Sequence, residues 1–372
     1  MRAQHGAGGE AGSEVARPGG GWRGRLEAAL TDAWYHGHPA LLPLWPLGLL
    51  WATLAAARRA AHANGLLHST RLPLPVIVVG NLTVGGTGKT PLTIWLAEQL
   101  RARGYRIGIV SRGHGGRATE WPQIVRPDSD PDQVGDEAVL IARRTGCPMA
   151  VGPDRVAAAE ALIEWAQPDL LLSDDGLQHY ALARDLEIVV VDGVRRFGNR
   201  RCLPAGPLRE SESRLATVDL VICNGGSPRR GEFGMQLLPR ALVPVLGGQE
   251  RPPTSLAGER VHCVTGIGHP ERFFATLRGL GARVIAHAFP DHHRFRREDL
   301  DFGDDAPVVM TEKDAVKCER FADRRHWYLA VEASPSLLFT QRLDALLKEL
   351  NHGQETPRNP RLPGDQGPAH PR

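Results

Sequence analysis

The residues best suited to do chemistry in this chain form the run Gly80-Asn81-Leu82-Thr83-Val84-Gly85-Gly86-Thr87-Gly88-Lys89-Thr90. Glycines let successive backbone N–H groups turn inward around phosphate oxygens, and a helix that starts directly after them adds a favourable partial charge. In such a loop Thr83, Val84, Gly85, Gly86, Thr87 and Gly88 line the nucleotide. Lys89 reaches the β- and γ-phosphates, and the Thr90 hydroxyl suits Mg²⁺. The strict G-x-x-x-x-G-K-[ST] pattern asks for glycine where this chain has Thr83. The Gly85-Gly86 pair supplies the missing flexibility. A nucleoside-triphosphate site with Mg²⁺ is the expectation.

Acidic residues stand where such a site needs them. Asp174 and Asp175 end the apolar run Leu170-Leu171-Leu172. A carboxylate at the C-terminal tip of a parallel strand beside a phosphate loop is where Mg²⁺ is held, although Asp-Asp-Gly is also an ordinary turn. Gln178 and His179 follow at the same strand end, where ligands bind in open α/β sheets. Asp136 precedes an apolar helical run, where a helix cap is the ordinary reading. Asp291-His292-His293, with His287 nearby, reads either as part of a metal site or as a His–carboxylate pair for proton transfer. Nothing in the sequence places His292 beside Asp136.

The elements that must position these groups follow from periodicity. Pro75–Val79, Arg106–Val110, Leu170–Leu172 and Ile188–Val191 are short apolar runs of the kind that buried parallel strands give. Helices are expected over Pro91–Arg103, Val139–Arg144 and Arg155–Trp165. The alternation restarts near Arg260, with strands at Val261–Thr265, Arg283–Ala286 and Val308–Met310 and a helix from Pro270. The fold class is therefore α/β: a phosphate-loop parallel sheet with helices on both faces, plus a second, smaller α/β domain. Met235–Leu246 and Trp327–Val331 are extended segments that could connect the two. The expected division is a disordered tail at 1–21, an apolar helical segment at 22–70, the phosphate-loop domain at 71–230, the smaller domain at 231–350 and a second tail at 351–372.

Composition narrows the class. The 372 residues include 42 Gly and 29 Pro and carry a formal charge of only +3, too little to argue for a nucleic-acid partner. No obligate protein partner is evident. Five scattered cysteines make neither a disulfide framework nor a zinc site, which favours a reducing compartment. The first 21 residues lack the apolar core of a signal peptide. Only four of the 45 basic residues are lysine: Lys89, Lys313, Lys317 and Lys348.

From Pro39 to Ala57 there is no charged residue, close to the ~20 residues needed to span a bilayer. Pro39, Pro43 and Pro46 interrupt the first half, so an unbroken spanning helix is not expected. A helix from about Leu47 to Asn64 is expected instead. Trp22, Trp34, Trp45 and Trp51 fall where interfacial aromatics would sit. A helix pair lying on a membrane surface is the expectation; an apolar helix buried against the next domain is the other reading.

Taken together, these segments resemble the tetraacyldisaccharide 4'-kinases of lipid A biosynthesis. The resemblance is carried, in order, by Val79–Pro91, Ser111–Gly113, Val134–Glu137, Gly152–Arg155, Ser173–Tyr180, Gly198–Glu210 and Thr311–Lys317. It implies a kinase at the cytoplasmic side of the inner membrane. The γ-phosphate of ATP would pass to the 4'-hydroxyl of a tetraacylated glucosamine disaccharide 1-phosphate, giving lipid IVA. By the resemblance Asp136 is the base, His292 supports it, and Lys89 and Thr90 bind phosphate and Mg²⁺. Asp174, Asp175 and Glu137 complete the metal shell, directly or through water. Arg112, Arg155, Gln178, His179, Arg209, Glu210 and Asn224 line the catalytic and lipid-substrate cleft. The family commonly has Ser-Arg-Gly-Tyr-Gly, and this chain puts His114 at the tyrosine position.

Two other readings share the loop. Membrane-recruited ATPase switches of the partitioning type carry a signature lysine just before the glycine pair, where this chain has Val84. A kinase of a soluble small molecule would leave the apolar segment at 39–57 unused.

Overall fold

The computed structural model describes residues 22–355; the two tails expected at the chain ends fall largely outside them. In chain order the strands are β1 (Val76–Gly80), β2 (Ile107–Ser111), β3 (Gln123–Val125), β4 (Met149–Val151), β5 (Leu170–Asp174), β6 (Leu186–Asp192), β7 (Leu220–Asn224), β8 (Phe233–Pro244), β9 (Arg260–Thr265), β10 (Arg283–Ala288), β11 (Val308–Thr311) and β12 (His326–Pro335). They form one twelve-stranded sheet in the order β10-β9-β11-β12-β8-β7-β6-β1-β5-β2-β4-β3. The helices are α1 (Trp22–His36), α2 (Trp45–Ala63), α3 (Lys89–Ala102), α4 (Pro131–Val134), α5 (Asp136–Thr145), α6 (Arg155–Ala166), α7 (Pro270–Gly279), α8 (Glu312–Cys318) and α9 (Leu337–Glu355).

Strands β8-β7-β6-β1-β5-β2-β4 run parallel, with β3 antiparallel at the edge. Helices cover both faces, so β1, β2, β5, β6 and β7 are buried along their whole length, and their sequences read as continuous apolar runs. On one face Leu92, Leu96 and Leu100 of α3 pack with Val139 of α5 and with Phe339 and Leu343 of α9. On the other, Ala158, Ala159 and Leu162 of α6 pack with Leu177, Leu182 and Leu208. The terminal helix α9 thus returns to the first core.

The extended segments expected to connect two units do meet. β8 and β12 pair antiparallel from Trp327↔Pro244 to Pro335↔Met235, with a register shift at Ala330/Val331. Beyond this ribbon β12, β11, β9 and β10 run parallel. They enclose cores around Phe274 and Leu277 and around Phe295 and Met310. All five cysteines are free and buried.

At the N-terminus, Pro43 lies inside a 3-10 turn (Pro39–Leu44) and Pro46 in the first turn of α2, where its missing N–H costs nothing. Gly48 of α2 is buried on the 198–210 loop, close enough that a Cβ would lie 2.9 Å from the Cys202 carbonyl oxygen. Trp51 Nε1 donates to the Arg209 carbonyl at 2.9 Å and Trp34 Nε1 to that of Pro204 at 3.0 Å. The opposite side of α2 exposes Leu47, Leu50 and Leu54.

Candidate active site

β1 delivers the phosphate loop to the centre of the sheet, and Gly88, at φ 95°, turns the chain into α3. No L side chain takes that turn easily, and a Cβ on Gly88 would collide with Asn224 Nδ2. A Cβ on Gly86 would meet nothing, so the loop faces open space. That space is a cavity of about 770 Å³ lined by Val84 through Thr90, Arg112, His114, Glu137, Asp175, Arg209, Asn224, Asp291, His292 and Lys313.

Asp174 ends β5, fully buried, with Oδ1 accepting from Thr93 at 2.8 Å and Oδ2 unpartnered. Burial, then the negative charges of Glu137 and Asp175, push its pKa up to about 7. Asp175 differs. Burial raises it too, but Lys89, at 3.6 Å, and Arg209, at 3.1 Å, hold it well below the usual carboxylate range. Uncompensated carboxylate charge with a buried free oxygen suits a divalent cation. Among the described residues no three His, Cys, Asp or Glu side chains converge on one point. That fits Mg²⁺ taken through one or two carboxylates and substrate phosphates. Asp174, with its free buried oxygen, together with Thr90 and one of the neighbouring carboxylates Asp175 or Glu137, therefore fits the ion; all three carboxylates at once do not.

Asp136 is not the helix cap. Gly135, at φ 95°, occupies that position, and Asp136 is the first residue of α5. Its Oδ1 accepts from the Glu137 N–H at 2.9 Å and faces His292 Nδ1 at 3.3 Å. Asp136 is 95% buried. Burial raises its pKa, but Lys313, His292 and Lys317 together hold it well below the ordinary value. His292 sits in left-handed backbone at φ 56°, costly for a non-glycine residue and typical of a functional position. The metal reading of the histidine cluster gives way: His293 pairs with Asp299 at 3.1 Å and His287 with His262 at 2.9 Å.

The remaining predicted residues are arranged around this centre. His114 meets His292 edge-on, with ring centroids 4.6 Å apart; burial and then His292 lower its pKa. Arg155 is buried, reaches the Asp175 carbonyl at 3.4 Å and is lowered to about 10 by desolvation. His179 accepts from the Arg155 N–H at 3.3 Å, and burial followed by the Arg155 charge lowers it to about 4. Gln178 donates to Glu210 at 3.1 Å, and Glu210 also faces Arg59 of α2 at 3.6 Å. Asn224 braces the loop, donating to the Thr87 carbonyl at 2.8 Å and accepting from Arg272 at 2.7 Å. Thr83 lies beneath the loop, bridged to Leu208.

Sequence reasoning missed Arg195. Its guanidinium donates to the Gly268 carbonyl at 3.0 Å and the Gly86 carbonyl at 3.4 Å, tying the phosphate loop to the second half of the sheet. Only its place beside the 198–210 motif hinted at this. Lys313 and Lys317 were noticed as rare lysines but given no role; they stand on Glu137 and Asp136 at 3.0 and 3.5 Å.

A strand–loop–helix phosphate cradle, a carboxylate at the neighbouring strand tip and a cavity-lining histidine backed by a buried aspartate define a P-loop phosphotransferase. Residues 40–349 match the family model for tetraacyldisaccharide-1-P 4'-kinase, LpxK. The chain is 55% identical over 316 residues to a tetraacyldisaccharide 4'-kinase of Nitrosococcus oceani, covering 85% of this chain and 93% of that one. It is 50% identical over 323 residues to the enzyme of that name from Pseudomonas aeruginosa, covering 86% and 97%. The solved structure of LpxK from Aquifex aeolicus in complex with ATP superposes with a TM-score of 0.71 at 26% identity, over 84% of this chain and 99% of that one. This chain belongs to the tetraacyldisaccharide-1-P 4'-kinase family, ATP-using enzymes of lipid A synthesis.

Proposed function

We propose that this chain transfers the γ-phosphoryl group of ATP to the 4'-hydroxyl of a tetraacylated glucosamine disaccharide 1-phosphate, and that Asp136 takes the proton from that hydroxyl. The single observation that carries the assignment is the approach of His292 Nδ1, on the wall of the cavity that the phosphate loop opens into, to the buried Asp136 Oδ1 behind it at 3.3 Å. An ionised carboxylate within reach of a sugar hydroxyl is a competent base, and His292 orients it. Lys89 and the loop N–H groups hold the phosphates, and Arg112 and Arg209 supply positive charge beside them. Mg²⁺, held by Thr90, Asp174 and either Asp175 or Glu137, would neutralise charge building on the phosphate oxygens.

The acceptor keeps its acyl chains in the bilayer, so the enzyme works at the membrane surface, on the cytoplasmic face of the inner membrane where ATP is present. Helix α2 and the turn before it are long and apolar enough to span a membrane by length and composition. Its docked face argues for lying on the surface instead. Arg59 pairs with Glu210 and Trp51 hydrogen-bonds the Arg209 carbonyl, and a helix crossing the bilayer would drag that polar segment into lipid. Substrate held by Arg155, Gln178, His179, Arg209 and Glu210 then lies beside the helix that meets the lipid. The chain works as two lobes, 71–230 together with the returning helix α9 and the remainder of 231–350, hinged on the β8–β12 ribbon, and their approach excludes water from the phosphoryl group.

Asp136→Ala and His292→Ala test the base. With ATP, Mg²⁺ and acyl-disaccharide 1-phosphate, the aspartate variant should lose ~10²–10⁴ of turnover, the histidine variant less, and both should bind ATP normally. Near-normal turnover of Asp136→Ala overturns the assignment.

A further inference from the structure

The Thr311–Lys317 segment brings two of the chain's four lysines to the proposed base. The Lys313 ammonium has three donors and meets three acceptors: Glu137 Oε1 at 3.0 Å, Asp291 Oδ1 at 3.2 Å and His292 Nε2 at 3.4 Å. An ammonium only donates, so whenever the ring is neutral the His292 Nε2 facing it must accept, which puts the single proton on Nδ1. That is the nitrogen facing Asp136 Oδ1 at 3.3 Å. The other Asp136 oxygen faces Lys317 Nζ at 3.5 Å, one helical turn further along α8.

We propose that Lys313 is a positioning residue that sets the tautomer of His292, so that the ring donates Nδ1–H to Asp136 while Lys317 anchors the second carboxylate oxygen. This rests on the reading of Asp136 as the base. The opposite tautomer has a partner waiting: Asp291 Oδ1 lies 3.8 Å from His292 Nε2. It would accept an Nε2–H, leaving the bare Nδ1 lone pair against the Asp136 carboxylate. Such a repulsive contact would swing the base away from the substrate hydroxyl. The ammonium, already on Asp291 at 3.2 Å, removes that option.

The surroundings leave Lys313 in control. The left-handed backbone at His292 fixes where the ring emerges, and the His114 ring edge packs against it. Lys317 is itself held, 2.8 Å from Asp314 Oδ1 and 5.0 Å over the Phe295 ring. Asp314 is tied down by Thr265, Thr311 and the Gly266 N–H. The requirement is for lysine. A guanidinium presents its donors in one plane and cannot direct three N–H groups at three acceptors spread around a point. In a chain that uses arginine for 41 of its 45 basic residues, that is a chemical reason for the exception.

The test reads the tautomer directly. Full-length protein with nitrogen-15-labelled histidine is followed in detergent micelles without nucleotide as the pH is raised, until the ring signals reach their high-pH plateau. The His292 signals are assigned by their loss in His292→Gln. The wild type should show a protonated Nδ1 and a bare Nε2, and Lys313→Met should move the proton to Nε2. Turnover of that variant should fall about 10- to 100-fold, part of the ~10²–10⁴ expected of the base itself, with ATP affinity within about twofold. Lys313→Arg should fail to restore either reading. A wild-type ring protonated at Nε2, or a Lys313→Met ring unchanged, overturns the proposal. If Asp136→Ala keeps its turnover while the tautomer behaves as expected, the base assignment fails and the tautomer control stands.

Discussion

Replacing Leu47, Leu50 and Leu54 together with serine should detach this enzyme from lipid without disturbing its nucleotide site. The three residues are spaced i, i+3, i+7, so they form one stripe on α2. They are 52%, 55% and 59% exposed, on the side away from the docked Gly48. Full burial of a leucine side chain is worth about 1.5–3 kcal/mol, and roughly half of each side chain is still available to bury, so each contributes about 1 kcal/mol on entering lipid. The triple change therefore removes about 3 kcal/mol, a loss of somewhat more than 100-fold in partitioning at ~1.4 kcal/mol per tenfold. The hydroxyls make this a lower bound. The assay is co-sedimentation with phospholipid vesicles over a range of lipid concentration, run beside ATP binding and thermal melting. Partitioning within threefold of wild type, with the fold intact, would refute the surface-docking reasoning. Loss of ATP binding would refute the claim that this face is separate from the catalytic cleft.

Other outcomes follow from individual contacts. Gly48→Leu places side-chain atoms where a Cβ already stands 2.9 Å from the Cys202 oxygen; it should lift α2 from the 198–210 loop, raise KM for the lipid and lower stability by about 1–3 kcal/mol in denaturant melts. Gly88→Ala adds strain at φ +95° and a clash with Asn224, and ATP affinity should drop at least about tenfold by calorimetry. Five ion pairs link α4 and α5 to α8 and the turn after it, among them Arg144–Glu312 at 2.8 Å, Lys313–Glu137 at 3.0 Å and Arg143–Glu319. Arg144→Met leaves the partly buried Glu312 carboxylate unpaired, so the unfolding midpoint should fall by the equivalent of about 1–2 kcal/mol. His287 is lowered to about 4 by burial and then by His262. Between about pH 6.5 and 4 the unfolded chain therefore binds the extra proton, and stability should fall on acidification through that window. His287→Gln should flatten that part of the Tm–pH curve, and an unchanged slope would exclude His287 as its source.

The site was legible in proportion to how local its chemistry is. A phosphate loop uses consecutive backbone N–H groups, so Gly85-Gly86-Thr87-Gly88-Lys89-Thr90 and the strand before it could be read directly. Asp174 could be placed because a strand tip is defined by the apolar run that precedes it. β3 and β4, three residues each, are too short for any periodicity to register. Asn224 was expected to line the lipid cleft; its contacts to Thr87 and Arg272 also make it a brace for the loop, which spacing does not encode. Asp136 as a cap was a fair local reading that lost to Gly135, which takes the cap position at φ 95° and leaves the Asp136 carboxylate to face His292.

The sequence by itself determined the nucleotide chemistry, the α/β class and the apolar N-terminal face, because each is written in neighbouring residues or in a repeating period. Tertiary structure alone decided which groups meet around the proposed base. Asp136 and His292 are separated by more than 150 residues, and only the β8–β12 pairing and the packing of α8 on α5 bring them within 3.3 Å. The same packing sets Lys313 against His292 Nε2. A tautomer depends on the angle and distance between groups on different elements, and no spacing along the chain carries that information.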